Sequence, residues 1–215
     1  MRGMLVCMAR PRGDDVRRQI ILATFRCVAR EGVSGMSLRE VARTTGTSTG
    51  TITYHFGSRH GLLLDAVEYG YWDLPQELYE MDPAQALRWV LHRYELSDEP
   101  RRSWWQFWLA ITAHAQVDAE VSERLLAQTD SILVRWRACI ERGIAAGQIA
   151  PDTDAATEAG RLAAYAHGLA IAQLINPSAA VTKWATEELT RAVEILRDPQ
   201  GASPGLFAAT RPAGD

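Results

Sequence analysis

Residues Ser37 to Arg59 read SLREVARTTGTSTGTITYHFGSR, and the fold is decided by how this stretch is read. Ser37 stands where a helix N-cap belongs and Glu40 follows three residues later, the spacing of a capping box. Leu38, Val41 and Ala42 then share one helical face. Gly46 stops that helix, because glycine takes the left-handed C′ conformation without steric cost. Ser48 caps a second helix whose inner face is Ile52 and Phe56. Its outer face carries Thr49, Gly50, Thr51, Thr53, Tyr54 and His55: small hydroxyls, a phenol and an imidazole, with no aliphatic chain to bury. Such a face suits phosphates and base edges. Two short helices around a tight turn predict a helix-turn-helix whose second helix enters the major groove.

Outward from this stretch nearly everything is helical. Asp14 or Asp15 caps a first helix to Glu31, with Ile21, Phe25, Val28 and Ala29 at helical spacing and Gly32 as its stop. Beyond the Gly57-Ser58 turn, a fourth helix starts near Arg59 and is expected to reach Glu80. Pro83 opens a fifth, carrying Trp89 and Tyr94. Pro100 reads as a break ahead of a sixth, Ser103 to Ala115. Asp118 caps a long helix to about Ala146, with Val121, Leu125, Ile132, Leu133, Trp136, Ile140 and Ile144 as its stripe. Two more follow, Asp154 to Ile175 and Ser178 to Arg197, with no strand-like alternation anywhere. The predicted class is all-α, about nine helices. A three-helix helix-turn-helix domain (residues 14–60) precedes a larger helical domain (61–198). A flexible basic arm (1–13, with Arg10 and Arg12) and a Gly/Ala/Pro-rich tail expected to be disordered (199–215) flank them.

A formal charge of −3 hides an asymmetry: residues 1–60 carry +6 and residues 61–215 carry −9. A basic head is the electrostatic footprint of a duplex-binding module. Cys7, Cys27 and Cys139 are odd in number and far apart, so neither a disulfide framework nor a zinc site is supported, and free thiols fit a reducing, cytoplasmic setting. The apolar run Met4 to Ala9 is too short for a signal segment, and nothing approaches the ~20 apolar residues of a membrane span. Met8 is a plausible alternative start. No nucleophile–base spacing, phosphate loop or metal-ligand cluster is present, which predicts no catalytic site, no metal and no cofactor.

Gly46, Ser48, Gly50, Ile52, His55-Phe56, Arg59 and Leu62-Leu63 together resemble the DNA-binding signature of the TetR-type one-component regulators, over roughly residues 14 to 70. The resemblance implies contacts to DNA from Ser37, Ser48, Thr49, Gly50, Thr51, Thr53, Tyr54, His55 and Arg59. Two positions depart from the family pattern. Thr53 replaces a tyrosine that meets phosphate, and Arg59 replaces a lysine, keeping its charge and adding a planar fork. The resemblance also makes the fourth helix the lever between sensing and DNA.

The second half carries Trp104, Trp105, Phe107 and Trp108 within five positions, so at least two indoles share a helical face. They serve either as a core layer or as one wall of a pocket between helices, completed by Trp89, His114, Trp136, Tyr165 and His167. Trp104 to Trp108, Trp136-Arg137 and His167-Gly168-Leu169 are similar to the choline-responsive (Bet-type) repressors of the same family. That similarity implies a small effector, aromatic, lipid-like or cationic, indoles suiting a quaternary ammonium through cation–π attraction. Ala155, Ala159, Leu162, Ala163, Ala166, Leu169 and Ala170, with Val181, Trp184, Ala185, Leu189, Ala192, Val193 and Leu196, form two stripes. In the family such helices pair a homodimer, here through residues 154–198. The sequence therefore predicts a ligand-responsive regulator of a palindromic double-stranded operator, most simply a repressor. The rivals are a helical enzyme and a non-specific architectural DNA-binding protein.

Overall fold

A computed structural model describes residues 13–69, 78 and 80–198. Among the described residues there are nine α-helices and no strand. They are α1 (Gly13–Gly35), α2 (Leu38–Thr45), α3 (Thr49–Phe56), α4 (Arg59–Tyr69), α5 (Pro83–His92), α6 (Glu99–His114), α7 (Ala119–Ala145), α8 (Ala155–Ile175) and α9 (Ala179–Arg197). The expected basic arm and tail lie outside the described residues, apart from Gly13.

Helix boundaries follow side-chain chemistry. Ser37, Ser48, Asp82, Asp154 and Ser178 each accept a backbone N–H from the first turn of the helix they precede. Gly46 (φ 64°) closes α2 in the left-handed region, with its own N–H and that of Thr47 both donated to the Ala42 carbonyl. Gly32 (φ 71°, ψ 173°) breaks α1 where the sequence places its stop, leaving Val33–Gly35 as a final turn.

Some boundaries differ. Pro100 is not a break: it sits in the first turn of α6, where its missing N–H would have had no helical partner. The fourth helix does not reach Glu80, since Leu78 is in a 3₁₀ turn and Glu80 in a plain turn. Tyr94 lies beyond the end of α5 but is fully buried. The reciprocal half of the capping box is missing, because the Glu40 carboxylate turns to Arg30 and Arg43 instead of to Ser37 N–H.

The chain divides into two compact units. The first comprises the residues up to Asp73 with Arg102–Asp130, the second Leu74–Arg101 with Ser131 onward. In the first, α1 packs on α2 and α4, and α3 packs on α2 and α4. Ile20, Ile21, Val28, Val41, Ile52, Leu62, Leu63, Ala66 and Val67 are essentially inaccessible. Phe25 of α1 meets Trp104 edge-on at 5.1 Å and Phe107 at 4.6 Å. Each buried side chain of Ile or Phe size contributes about 1.5–3 kcal/mol. Exposed ion pairs such as Arg43–Glu40 are screened by solvent and add little. The head is therefore held by its apolar interior, with the charges as trim.

In the second unit, α9 packs on α5 and α8. Tyr94 meets Trp136 at 5.6 Å and His167 at 5.4 Å, both edge-on. Gln173, wholly buried, accepts from Leu96 N–H (2.8 Å) and donates to the carbonyls of Tyr94 (2.9 Å) and Leu169 (3.0 Å). A buried amide thus satisfies two backbone groups of the non-helical turn after α5 while also bonding one carbonyl of its own helix. The long stripe expected on α7 is only partly buried: Val121, Trp136 and Ile140 are, while Leu125, Ile132, Leu133 and Ile144 are half-buried.

Candidate nucleic-acid interface

The recognition helix is eight residues long and is anchored from beneath. Ile52 and Phe56 face the interior, and the Arg17 guanidinium lies 5.3 Å from the Phe56 ring centre. Thr49, Gly50, Thr53 and Tyr54 are exposed, while Thr51 and His55 are half-buried at the rim. Tyr54 is 86% exposed, which is unusual for a side chain of its size with no intramolecular role beyond an edge contact to His55 at 5.3 Å. Ser48 Oγ accepts from Thr51 N–H (3.0 Å) and shares a hydrogen bond with the Thr51 hydroxyl (2.9 Å), so these two groups are pre-set at the helix N-terminus. Ser37 does the same for α2, accepting from Glu40 N–H at 3.4 Å.

Gly50 is informative because nothing inside the chain requires it. Its φ is not positive, and a Cβ there would meet only Ser48 Oγ at 3.5 Å. A helical glycine costs about 1 kcal/mol relative to alanine. What it provides is an open approach to the helix backbone from outside. Gly61 contrasts with it, since a Cβ there would come within 2.2 Å of the Phe56 carbonyl oxygen. That glycine is dictated by the α3–α4 turn.

Arg59 departs from the sequence expectation. Its Nε donates to Met36 O at 2.8 Å and its Nη2 donates to Val33 O, so the fork is turned toward the α1–α2 junction. Arg39 on α2, by contrast, was passed over in the sequence. It is exposed and holds no ion-pair partner among the described residues. The signal that finds it is the head's positive charge together with its place one residue into α2.

The eight residues expected around an effector are split. Trp104, Trp105, Trp108 and His114 belong to the first unit, and Trp89, Trp136, Tyr165 and His167 to the second. Trp104 and Trp105 are about 1% exposed and act as core; Trp108 is half-buried and meets Trp105 edge-on at 5.3 Å. His114 Nε2 is 3.3 Å from Asp118 Oδ2. In the second unit, Trp89 lies under the Arg93 guanidinium (5.1 Å) beside a cavity of about 350 Å³. Tyr165 lines another, of about 760 Å³, with Asp154, Glu158, Arg161, Leu162 and Ile195. The Tyr165 hydroxyl donates to Glu188 at 2.6 Å, and burial together with that bond raises its pKa. His167 Nδ1 is 2.6 Å from Ala163 O, and burial lowers its pKa. Neither of these two cavities holds both Trp89 and Tyr165.

Residues 20–66 match the model for bacterial regulatory proteins of the tetR family, and residues 83–197, more than half of the chain, match that for the C-terminal domain of BetI-type transcriptional repressors. The chain belongs to the TetR family. It is similar to the HTH-type transcriptional regulator PksA of Bacillus subtilis, 26% identical over 167 residues that cover 75% of this chain and 80% of that one. It is also similar to the regulator BetI 1 of Chromohalobacter salexigens, 26% identical over 43% of this chain and 50% of the relative. Among solved structures, a transcriptional regulator from Saccharomonospora viridis in complex with choline superposes with a TM-score of 0.71 at 25% identity, covering 84% of this chain and 96% of that one. This TetR-family chain is thus a ligand-responsive DNA-binding repressor and not an enzyme. Among the described residues no helix is long and apolar enough to cross a membrane.

Proposed function

We propose that the chain is a cytoplasmic homodimeric repressor that holds a palindromic operator through the outer face of α3 and releases it when a small cationic effector binds. Residues 14–60 read the DNA; residues 61–198 sense and pair. The observation that carries this reading is the exposed, hydroxyl-lined face of α3 with an unforced glycine at its centre. Thr49, Gly50 and Tyr54 face base edges, and Ser37, Ser48, Thr51, Thr53 and His55 lie toward phosphates.

Most of the two expected stripes is turned inward, so pairing through residues 154–198 draws on another face of α8 and on Trp184, the exposed member of the α9 stripe. Ala155, Ala159, Leu162, Ala163, Ala166, Leu169 and Ala170 are all buried within their own chain, as are Ala185, Leu189, Ala192, Val193 and Leu196. Among the residues α8 presents outward are Ala156, Gly160, Ala164 and Gly168, spaced by four and continued by the half-buried Ala172, and a Cβ at Gly160 or Gly168 would meet nothing within 4 Å. On α9, Trp184 is 38% exposed. A two-fold axis beside such a row lets helices approach closely and doubles the length of DNA read.

For the effector, the similarity to the choline complex favours a quaternary ammonium over a neutral aromatic, with the half-buried indoles of Trp89 and Trp108 as candidates to meet it. Release requires the effector to bind better to a form whose two α3 helices are wrongly spaced. The test is selection of duplexes from a random pool by the full chain, followed by titration with choline. An enriched palindrome released by choline is expected. Enrichment of no sequence would overturn the operator reading, and release by neutral aromatics alone would overturn the cationic effector.

A further inference from the structure

We infer that Arg59 serves operator recognition as a positioning residue, acting through the α1–α2 junction and not as a phosphate ligand. This rests on the reading of α3 as the DNA-reading helix. Gly32 ends the regular part of α1, and Val33, Ser34, Gly35 and Met36 carry the chain into the cap of α2 at Ser37. The carbonyls of Val33 and Met36 have no continuing helix to serve; from the backbone at this junction, Val33 O accepts a long bond from Met36 N–H, at 3.3 Å. Met36 and Val33 are themselves buried, so water cannot readily satisfy the junction. Arg59, the first residue of α4, reaches back across 23 and 26 positions and donates to both carbonyls. Charge-assisted bonds of this kind are about twice as strong as neutral ones.

The geometric consequence is a closed ring. α3 is bounded by Gly46–Thr47 on one side and Gly57–Ser58 on the other, and Arg59 ties the residue after the second turn to the residue before α2. The angle between α2 and α3, on which base contacts depend, is set where that ring closes. A lysine at this position places a single point charge on a flexible stem and cannot span two carbonyls in the plane that a guanidinium does. An exposed cation for the DNA backbone is offered instead by Arg39, which holds no ion-pair partner among the described residues.

The test uses the full chain with duplexes selected by the wild-type protein and the same duplexes scrambled. Arg59→Lys and Arg59→Met are titrated across a range of salt, well below their melting temperatures. For a positioning residue, both variants lose about ten-fold or more on the selected duplex and little on the scrambled one, with the slope of log K against log salt unchanged. A phosphate ligand would leave Arg59→Lys like wild type, while Arg59→Met would weaken on both duplexes and lose about 1.8 from the slope, about 0.9 for each protomer of the dimer; that result overturns the inference. A second measurement needs no variant to fold. Phenylglyoxal modification of the wild-type chain, mapped by mass spectrometry, should leave Arg59 slow beside Arg39, with no further protection by DNA. Rapid modification of Arg59, suppressed by the selected duplex, would contradict the positioning role. Should the wild-type chain select no sequence, the DNA-reading assignment of α3 fails on its own, and slow modification of Arg59 in the free protein still reports whether the ring is anchored.

Discussion

Tyr54 and Glu40 show how two residues of the helix-turn-helix divide recognition from stability. Tyr54 contributes almost nothing to the fold at 86% exposure, so Tyr54→Ala should leave unfolding free energy within about 0.5 kcal/mol of wild type. The same change should cost about 1–3 kcal/mol of operator affinity, read by equilibrium DNA binding. Equal losses on scrambled and selected duplexes would remove Tyr54 from base reading. Glu40 does the opposite work. The Arg43 bond, then that of Arg30, holds its carboxyl at about 2, below the ordinary 4.5. A depressed carboxylate stabilises the fold above its ordinary pKa, and that contribution is lost as pH falls through the folded value. Acid unfolding followed by circular dichroism should therefore be shallower for Glu40→Gln between about pH 4.5 and about 2. Superimposable acid transitions would show that the pair does nothing for the fold. These residues also mark how far reading a sequence goes. Ser37 and Ser48 were legible as caps because capping is local. The turning of Glu40 to Arg30 and of Arg59 to Val33 was not, since each partner lies ten or more positions away.

At the level of single helices, α8 is where periodicity and function part. The small and aliphatic stripe was visible at steps of three and four, and it is buried against its own chain. The opposite row, Ala156, Gly160, Ala164, Gly168 and Ala172, is equally small but was not recognised, because glycine and alanine mark neither a core nor a surface by themselves. Gly168→Glu should therefore leave the monomer's fold intact, as nothing lies within 4 Å of the added carbon, and should yield monomers in sedimentation velocity. A dimer that survives this change would place the pairing face elsewhere. Helices α2 and α3 behave differently, since their apolar positions are so few that the buried face could be named without a structure. For α6, the tryptophans announced burial but not destination. Trp104 is spent on Phe25 and Phe107, and of the three tryptophans of α6 Trp108 alone is half-buried instead of buried.

The charge distribution sets the behaviour of the molecule as a whole. Residues 1–60 at +6 attract a duplex and residues 61–215 at −9 repel it, which favours encounter through the basic segment without any base contact. If a dimer neutralises about six to eight phosphates, log K for the operator should fall with log salt at a slope of roughly −5 to −7. Filter binding or fluorescence anisotropy over a salt series measures it, and a flat dependence would exclude the proposed docking. Although Asp14 and Asp15, expected as the cap of α1, lie inside that helix, the all-α class, a count of about nine helices, the serine caps of α2 and α3, the helix-turn-helix and the apolar interior of the head were determined by the sequence alone. Each depends on residues within a turn or two of one another, where spacing is the physical cause. Which aromatic rings are core, which face of α8 remains outward and where the Arg59 fork is spent were decided only by tertiary structure. Those outcomes depend on groups brought together from distant positions, and a side chain's neighbours across such a gap leave no periodic trace in the chain.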